Sequence, residues 1–319
     1  MQEKPKLAMY WAASCGGCEV AVANLHEKLL EVEHHFDFLF CPCLLDTKEA
    51  EIAALPDAAL ALTLFNGAIR TSDNEHMARL LRSKSQTLVA FGSCAGEGCI
   101  PALSNLHTRE EHFRAIYHDN PSVDNPDAIE PQAVTRVPEG ELRLPAFFDR
   151  VLTLAQVVDV DYFLPGCPPE PHQIWTVVES IIAGRPLPPK GSVIGAGTST
   201  VCLECKRRKE DKRIARFYRT WELPADAEHC LLEQGILCMG VATRDGCGAL
   251  CPQVNMPCIG CYGPPEGVPD QGAKMLAALG SVLQLDSPDA LRSLEKAAPD
   301  MAGSFYRFSL ANSILGGRR

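Results

Sequence analysis

The sequence predicts an α/β protein with two parts: a doubly wound parallel sheet, then an irregular, cysteine-rich domain. Through residues 1–190, apolar runs with strand character alternate with stretches of helical spacing, which is typical of a parallel sheet covered by helices. Residues 200–265 instead hold eight cysteines and little strand-like sequence. The chain has 319 residues, enough for two domains. The proline-rich stretch 184–191 is a plausible linker, so we predict domains at 1–190 and 191–319.

Five apolar runs predict the strands of the sheet. Most of them run into a turn rich in glycine or proline, which ends the strand. In chain order they are KLAMYW (6–11), FDFLFCP (36–42), ALALTLFNG (59–67), QTLVAFGSCAG (86–96) and VDYFLPGCPP (160–169). Because binding sites in such sheets form at the carboxyl ends of the strands, the residues that follow each run are the first candidates for a site.

Four other stretches have the spacing of apolar residues that predicts helices. They are EVAVANLHEKLLE (19–31), SDNEHMARLLRSK (72–84), EPHQIWTVVESIIAG (170–184) and QGAKMLAALGSVL (271–283). Ser72 and Asp73 are candidate N-caps of the second helix, and Gly184 closes the third. Residues 105–150 are rich in charge and proline, and we predict an irregular insertion there.

The composition limits the classes of partner. The chain has 30 basic and 40 acidic residues and a formal net charge of −10, which argues against general binding to nucleic acids or anionic membranes. No apolar run approaches the length of a membrane span, and the N-terminal sequence has no twin arginine and too short an apolar stretch for a signal peptide. We therefore expect a cytoplasmic protein, in which fifteen cysteines are more typical of metal binding than of disulfides.

The first group of cysteines follows three predicted strands. Cys15 and Cys18 lie in SCGGCE, Cys94 in GSCAG and Cys167 in PGCPPEP, so a parallel sheet brings all four to one edge. Glycines let the backbone approach a bulky cofactor closely, and its N–H groups can bond to sulfides. Zinc sites usually use two close cysteine pairs, and here only one pair is close. The pattern favours an iron–sulfur cubane, with zinc and buried structural cysteines as alternatives.

The second group is denser and holds eight cysteines. A C-x2-C pair at 202–205 is followed by two single cysteines, a C-x3-C-P element at 247–252 and a further C-x2-C pair at 258–261. The C-x3-C-P element matches the end of a bacterial ferredoxin run, in which proline follows a ligating cysteine. Eight thiolates can hold two four-iron clusters, although two zinc sites would satisfy the same count. The basic stretch 206–219 is interpreted as a solvated face, with a docking surface for an electron partner as the alternative.

Four motifs in this order, CGGC, GSCAG, GCPPEP and PCIGCYGP, resemble the small, electron-transferring subunit of nickel–iron hydrogenases. The resemblance runs over about residues 6–280. CLLEQGILCMGVATRDGCGALCP and DQGAKM look like the cytoplasmic methyl-viologen-reducing branch, which works with heterodisulfide reductase in methanogens. The resemblance implies a flavodoxin-like first domain with a proximal cluster, and a cysteine-rich second domain with a medial and a distal cluster.

The resemblance also implies three ligand sets of four cysteines, each for a 4Fe-4S cluster. The sets are Cys15, Cys18, Cys94 and Cys167 (proximal), Cys247, Cys251, Cys258 and Cys261 (medial), and Cys202, Cys205, Cys230 and Cys238 (distal). Two positions depart from the exported, membrane-linked branch: Cys202 replaces a histidine, and Cys251 stands where that branch often has proline. Both changes add negative charge, which should lower the reduction potentials of the clusters.

Three cysteines fall outside these sets. Cys41 and Cys43 lie in FCPCLLD at a strand end, and Cys99 follows the GSCAG turn; packed thiols are the favoured interpretation. Asp46 is interpreted as a capping residue, with approach to an iron as the alternative. Glu19, next to a predicted ligand, is either a proton carrier or a charge at a helix N-terminus.

The resemblance implies that this chain relays electrons and carries no catalytic residue. A separate large subunit would hold the Ni-Fe centre and split H2, because this chain lacks the required cysteine pairs in the right context. A small iron–sulfur acceptor subunit and a heterodisulfide reductase-type flavoprotein would receive the electrons. Three alternatives stay open, and one of them is a sensor hydrogenase subunit that signals instead of feeding metabolism. The related subunit of respiratory complex I has adjacent Cys-Cys ligands and no cysteine-rich second part, and a zinc-stabilised interaction module would have no redox role.

Overall fold

The structure, a computed structural model, describes residues 4–284 and 288–316. The strands of this part of the chain are β1 (Lys6–Trp11), β2 (Asp37–Phe40), β3 (Leu60–Asn66), β4 (Ile69–Thr71), β5 (Ser85–Phe91), β6 (Val134–Val137), β7 (Gly140–Arg143), β8 (Phe147–Leu152), β9 (Tyr162–Leu164) and β10 (Ser192–Val193). All five predicted strand runs therefore form strands.

Helices separate most of these strands. They are α1 (Gly17–Ala23), α2 (Lys28–His35), α3 (Glu49–Ala53), α4 (Ser72–Lys84), α5 (Ser93–Glu97), α6 (Arg109–Tyr117), α7 (Pro171–Ile182), α8 (Val201–Glu204), α9 (Leu250–Gln253), α10 (Gln271–Val282), α11 (Pro288–Ala297) and α12 (Met301–Phe305). Short 3-10 helices lie at Ile100–Leu106, Leu154–Gln156, Met239–Ala242 and Leu310–Asn312. No helix in the described ranges is both long and apolar enough to cross a membrane.

Six strands form one parallel sheet in the order β10-β9-β5-β3-β1-β2. The strand order runs outwards in both directions from β1, so the sheet is doubly wound as predicted. The last residues of four neighbouring strands lie in register: Trp11, Asn66, Phe91 and Leu164. The turns that follow three of these residues carry the first group of cysteines, so the sheet brings them to one edge.

Helices cover both faces of the sheet, because the buried strands are apolar on both sides. On one face, Val32 of α2 and Ile174 of α7 pack with sheet residues such as Val89. On the other face, Met77 and Leu81 of α4 pack with the second set of strand side chains. The predicted α/β class is confirmed.

Two predicted helix boundaries were wrong. The helix predicted at 19–31 is two helices, since α1 ends at Ala23 and the connection contains His26 at φ +53°. A left-handed residue interrupts an α-helix. In α4 the N-cap is Thr71, whose side-chain oxygen accepts a hydrogen bond from the Asn74 N–H at 3.3 Å, so Ser72 is already helical.

The region predicted as an irregular insertion is partly ordered. It contains α6 and the antiparallel hairpin β6–β7. Strand β8 pairs antiparallel with β4. The charged sequence concealed these elements because they are largely exposed and have little apolar periodicity. The predicted division at residue 190 stays a prediction, and β10 extends the sheet to Val193.

The cysteine-rich part packs into an apolar core that also includes Ala68, Ala102 and Val151 of the first part of the chain. Phe217, Met239, Met275 and Leu279 are buried together in this core. Helix α10 contributes one face to it, beginning at the Asp270 N-cap. Irregular segments that hold cysteines are therefore packed against a regular helix.

Candidate iron–sulfur sites

The four cysteines of the first predicted set lie on three turns at the carboxyl edge of the sheet. Cys15 precedes α1 and Cys18 lies in its first turn, Cys94 lies in α5 directly after β5, and Cys167 follows β9. Cys18 and Cys94 are buried, whereas Cys15 is exposed. Parallel strands thus place together thiols that are up to 152 residues apart in sequence.

The electrostatics of Cys18 show that these thiols are neighbours. Burial raises the pKa of Cys18 well above its usual value, and the nearby thiol groups of Cys94, Cys167 and Cys15 raise this pKa further. A like charge close by disfavours ionisation of a thiol. Four such thiols need a positively charged group if they are all to be thiolates, which is the condition that a metal cluster satisfies.

Gly92 leaves the space that the Cys18 sulfur occupies. A Cβ atom built on Gly92 would lie 2.4 Å from Cys18 Sγ, and the φ of Gly92 is +82°. Only glycine accepts both the contact and the backbone conformation. The glycine at the start of GSCAG therefore has a specific role in the site.

Cys99 is a fifth thiol at this site that the sequence interpretation left without a role. It is fully buried, and its thiol donates a hydrogen bond to Cys167 Sγ over 3.6 Å. This bond lowers the pKa of Cys167 to about 7, against the opposing effect of burial. Phe308 packs with Cys94 and Cys99 in the same small cluster. The spacing of five residues from Cys94 is the only signal that the sequence offers.

The predicted distal set gathers around Cys202. Burial raises the pKa of Cys202 to about 12, and the thiols of Cys238, Cys230 and Cys205 contribute to the increase. A Cβ atom on Gly240 would lie 3.4 Å from Cys202 Sγ and 3.7 Å from Cys238 Sγ. A glycine again keeps the backbone close to a group of thiols.

The thiols of the predicted medial set are linked through Cys261. Burial raises the pKa of Cys261 to about 12, and the nearby thiols of Cys247, Cys167 and Cys251 add to this effect. Burial also raises the pKa of Cys258, and Cys261 contributes to that increase. Cys251 is exposed whereas Cys258 is buried, so this set reaches from the surface into the core.

Two contacts connect the three sets in one order. Cys261 of the medial set and Cys167 of the proximal set pack against the same small apolar cluster. At the other end, the backbone N–H of Cys258 donates to Cys238 Sγ over 3.3 Å. The predicted medial set therefore lies between the proximal and the distal sets. The side chain of Ser93 donates to the Cys261 carbonyl over 2.6 Å, which fixes this part of the cysteine-rich region to the edge of the sheet.

Arg207 is a buried cation between the predicted distal and medial sets. Its guanidinium donates to four neutral oxygens: Pro252 O (3.0 Å), Asp226 O (2.7 Å), His229 O (3.0 Å) and Asn255 Oδ1 (2.7 Å). These bonds join the segments that follow Cys205 and Cys251. Burying a cation is costly, and these four hydrogen bonds offset part of that cost. Composition alone did not single out this residue within the basic stretch 206–219.

The donor sets fit iron–sulfur clusters. In the described ranges, no three cysteine, histidine or acidic side chains are close enough to bind one metal ion. The chain instead offers sets of four thiols, glycines that keep a Cβ away from the sulfurs, and backbone N–H donors to sulfur at Cys238 and Cys247. Thiolate ligands with N–H···S bonds are the typical surroundings of iron–sulfur clusters.

The remaining candidate residues have the following surroundings. Glu19 accepts two hydrogen bonds from the Asn66 amide, at 2.7 and 2.8 Å. The interpretation of Asp46 as a capping residue was wrong, because the N-cap of α3 is Lys48; Asp46 lines a surface cavity. Cys41 and Cys43 are free thiols that form a hydrogen bond with each other, and their sulfurs are 3.3 Å apart.

Comparison with known proteins identifies similar sequences over the whole chain. A family described as NADH ubiquinone oxidoreductase, 20 Kd subunit, matches residues 15–181. The chain is 41% identical to an F420-non-reducing hydrogenase iron-sulfur subunit of Archaeoglobus profundus, over 97% of both chains. It is 35% identical to an F420-non-reducing hydrogenase subunit of Methanothermobacter marburgensis, over 99% of this chain and 97% of that one.

Solved structures show the same fold. A chain of an NAD+-reducing NiFe-hydrogenase in the H2-reduced state is 29% identical, with a TM-score of 0.50 over 58% of this chain and 96% of that one. A chain of the actinobacterial-type NiFe-hydrogenase from Ralstonia eutropha H16 is 18% identical, with a TM-score of 0.50 over 94% of this chain and 91% of that one. The first match is confined to little more than half of this chain, whereas the second includes most of the cysteine-rich part as well.

Proposed function

This chain belongs to the family of iron–sulfur subunits of F420-non-reducing hydrogenases, and from that premise we propose that it is the electron-transfer subunit of a nickel–iron hydrogenase. It would relay electrons from the oxidation of H2 on a large subunit to a partner redox protein. Hydrogenase relatives match the cysteine-rich part as well as the sheet, which supports this proposal over a complex I-like subunit.

The proposed cofactors are three 4Fe-4S clusters. An iron–sulfur cluster supplies reversible one-electron transfer, at a potential set by its ligands, hydrogen bonds and burial. Cys15, Cys18, Cys94 and Cys167 would hold the proximal cluster, Cys247, Cys251, Cys258 and Cys261 the medial cluster, and Cys202, Cys205, Cys230 and Cys238 the distal cluster. The thiols that influence the pKa values of Cys18 and Cys202 all belong to the same set as that residue, which supports the proximal and distal sets. Cys261 is influenced by thiols of both the medial and the proximal set.

The order of the three sets is the observation that carries the proposal. Cys261 packs with Cys167 against one small apolar cluster at one end of the proposed medial set, and the N–H of Cys258 bonds to Cys238 at the other. A medial set with one neighbour on each side is what a relay in single file requires. The chain's own contribution is to hold these sets close together and away from water, and to donate N–H groups to their sulfurs.

The surface supports a partner protein at each end of this line. Val20, two residues after Cys18, is 59% exposed, and Leu203, between Cys202 and Cys205, is 73% exposed. Each of these side chains offers an apolar contact to a partner protein at its end of the line. We propose a large subunit with the Ni-Fe centre at the proximal end. A small iron–sulfur acceptor subunit, followed by a heterodisulfide reductase-type flavoprotein, would dock at the distal end. No nucleic-acid partner is proposed.

The proposed location is the cytoplasm, because thiol ligands of this number are maintained in a reducing compartment. Cell fractionation with an antibody against this chain tests that location directly. Recovery in the periplasm or the membrane fraction would contradict it.

The relay itself is tested by purifying the native complex without oxygen and exposing it to H2. Rapid freezing followed by electron paramagnetic resonance should reveal reduced iron–sulfur signals that belong to this chain. The matched control is the same complex reconstituted with a large subunit that lacks nickel, in which these signals should not appear under H2. A complex that oxidises H2 with a dye while this chain's iron stays oxidised would overturn the proposal.

A further inference from the structure

The turn after strand β2 holds two thiols outside the three proposed ligand sets. The sulfurs of Cys41 and Cys43 are 3.3 Å apart. A disulfide bond is about 2.05 Å long, so the two sulfurs need to approach by little more than 1 Å to form one. Only Pro42 separates the two cysteines in sequence.

The backbone of the turn holds the two thiols side by side. The N–H groups of Leu44 and Leu45 both donate to the Cys41 carbonyl, each over 2.8 Å. Pro42 lies between the two cysteines and fixes its own φ near −65°. Cα atoms two residues apart in such a turn lie within the span that a disulfide bridges, about 4.4–6.8 Å. Little backbone movement is therefore needed for oxidation.

The two thiols differ in their surroundings in a way that suits a two-step exchange. Cys43 is exposed, whereas Cys41 is 1% exposed and packs in the core beneath the turn. Burial raises the pKa of Cys41 to about 12. A raised thiol pKa lowers the fraction of reactive thiolate, so Cys43 reacts first with an external disulfide and Cys41 reacts second. An accessible sulfur with a protected second sulfur beside it is the arrangement in which a mixed disulfide is resolved within one chain.

We propose that Cys41 and Cys43 form a reversible dithiol–disulfide site that exchanges with external disulfides through Cys43. The sulfur of Cys43 attacks one sulfur of the external disulfide, and the first thiol leaves with the proton of Cys43. The sulfur of Cys41 then attacks Cys43 Sγ, the mixed disulfide breaks, and the second thiol leaves with the proton of Cys41. In total, the thiols of Cys41 and Cys43 give two electrons and two protons to the external disulfide. The external disulfide becomes two thiols, and a Cys41–Cys43 disulfide remains.

Thiol–disulfide exchange requires only an accessible sulfur–sulfur bond in the other molecule, so the site can react with disulfides in general. Both a low-molecular-weight disulfide and a protein disulfide can reach an exposed thiol. The exposed Leu44 beside Cys43, 74% accessible, offers an apolar contact for a protein. The two sources are distinguished by using glutathione disulfide and oxidised thioredoxin as separate probes.

The test uses the intact complex, purified anaerobically and equilibrated in glutathione buffers of defined potential. After an acid quench and alkylation, trypsin releases residues 29–48, which contain Cys41 and Cys43 and no other cysteine. Mass spectrometry measures the fraction of this peptide that is two hydrogens lighter and unalkylated. We expect a two-electron titration, in which a tenfold change in the ratio of the two forms takes about 30 mV, while the iron content stays constant.

Two single variants check the order of attack. Cys41→Ser should accumulate a stable glutathione adduct on Cys43, because nothing resolves it. Cys43→Ser should form no adduct on the buried Cys41, and should keep H2-dependent dye reduction. A peptide that stays doubly alkylated at every potential, or a wild-type chain that stops at the mixed disulfide, would overturn the proposal. Oxidation by one probe alone supports the proposal and identifies the source, equal oxidation by both shows that the site accepts either kind of disulfide, and oxidation by neither overturns the proposal.

Discussion

The backbone N–H of Cys258 donates a hydrogen bond to the sulfur of Cys238, 3.3 Å away. These residues belong to the proposed medial and distal ligand sets, so one main-chain bond joins the two. An N–H donor stabilises the thiolate form of the sulfur that accepts it. The same residue therefore serves as a ligand of one proposed cluster and as a hydrogen-bond donor at the next.

Replacing Cys258 should interrupt the relay in its middle. The Cys258→Ser variant of the complex is expected to lose the medial cluster, about four irons per chain, and to reduce viologen dyes at a rate near zero. Exchange of hydrogen isotopes needs only the large subunit, so that reaction should persist. The measurement is the ratio of the two activities in the same preparation. Cys43→Ser is the control, since it removes a thiol outside the ligand sets. Normal dye reduction by Cys258→Ser would refute the assignment.

Gly92 should be indispensable for the proximal set. A Cβ atom there would lie 2.4 Å from Cys18 Sγ, and the backbone at φ +82° and ψ 163° is a conformation in which a residue other than glycine costs about 1–3 kcal/mol. Gly92→Ala is therefore expected to displace Cys18 and to lower the iron content by about four per chain. Gly280→Ala is the matched control, because nothing lies within 4 Å of its Cβ and it is in the helix α10. If both variants retain full iron, the proximal ligand set is misassigned.

Arg207 should stabilise the cysteine-rich domain. Arg207→Gln removes most of four buried hydrogen bonds to neutral oxygens, and an unpaired buried acceptor costs about 1–3 kcal/mol. We expect the visible absorbance of the clusters to be lost several degrees earlier on anaerobic heating. The neighbouring exposed Lys206 supplies the control variant Lys206→Gln, which should leave the transition within about 1 °C of the wild type. Identical transitions for all three proteins would show that the Arg207 contacts carry no stability.

Asp161 tests the first domain independently of iron. Burial opposes ionisation of this carboxylate, but hydrogen bonds from Arg82, Lys190 and the Leu88 N–H outweigh it and lower its pKa. Asp161→Asn weakens both ion pairs. Because Lys190 is 71% exposed and Arg82 is partly exposed, we expect a cost of about 1–2 kcal/mol in the free energy of unfolding. The exposed neighbour Asp159→Asn should cost little.

The pH dependence of this cost follows from the direction of the pKa shift. A carboxylate with a lowered folded-state pKa contributes stability that is complete above its unfolded pKa, about 3.9, and that is lost as pH falls through the folded value. The difference between wild type and Asp161→Asn should thus be constant from about pH 5 to 8 in anaerobic denaturant titrations. A difference that shrinks as the pH falls through that range would mean that Asp161 titrates within it.

The sheet could be predicted because its strands are buried on both faces and read as continuous apolar runs. The run at Lys6–Trp11 became β1 without change of bounds. Strands β4 and β8 were missed because they are short or half exposed, and pair with each other outside the main sheet. Their pairing depends on the insertion folding back, which no local pattern encodes.

The placement of the first group of cysteines at one edge of the sheet could be predicted from the strand ends that carry them, whereas the division into three ligand sets comes from the family resemblance and stays a prediction. Two further contributions could not be predicted. Cys99 acquires its neighbour Cys167 only through the fold, since 68 residues separate them. Arg207 looks like its exposed basic neighbours in sequence, and only the packed loops around residues 226–229 and 252–255 show that it is buried.

The central claim is that twelve cysteine thiolates hold three iron–sulfur cubanes in single file. The most direct measurement is elemental analysis of the native complex, isolated without oxygen, with iron, zinc and nickel counted per copy of this chain and cluster types identified by Mössbauer spectroscopy. The account predicts about twelve irons in 4Fe-4S form per small chain, in addition to the iron of the Ni-Fe centre, and no zinc in the cysteine sets. Markedly fewer irons, or zinc in their place, would contradict it.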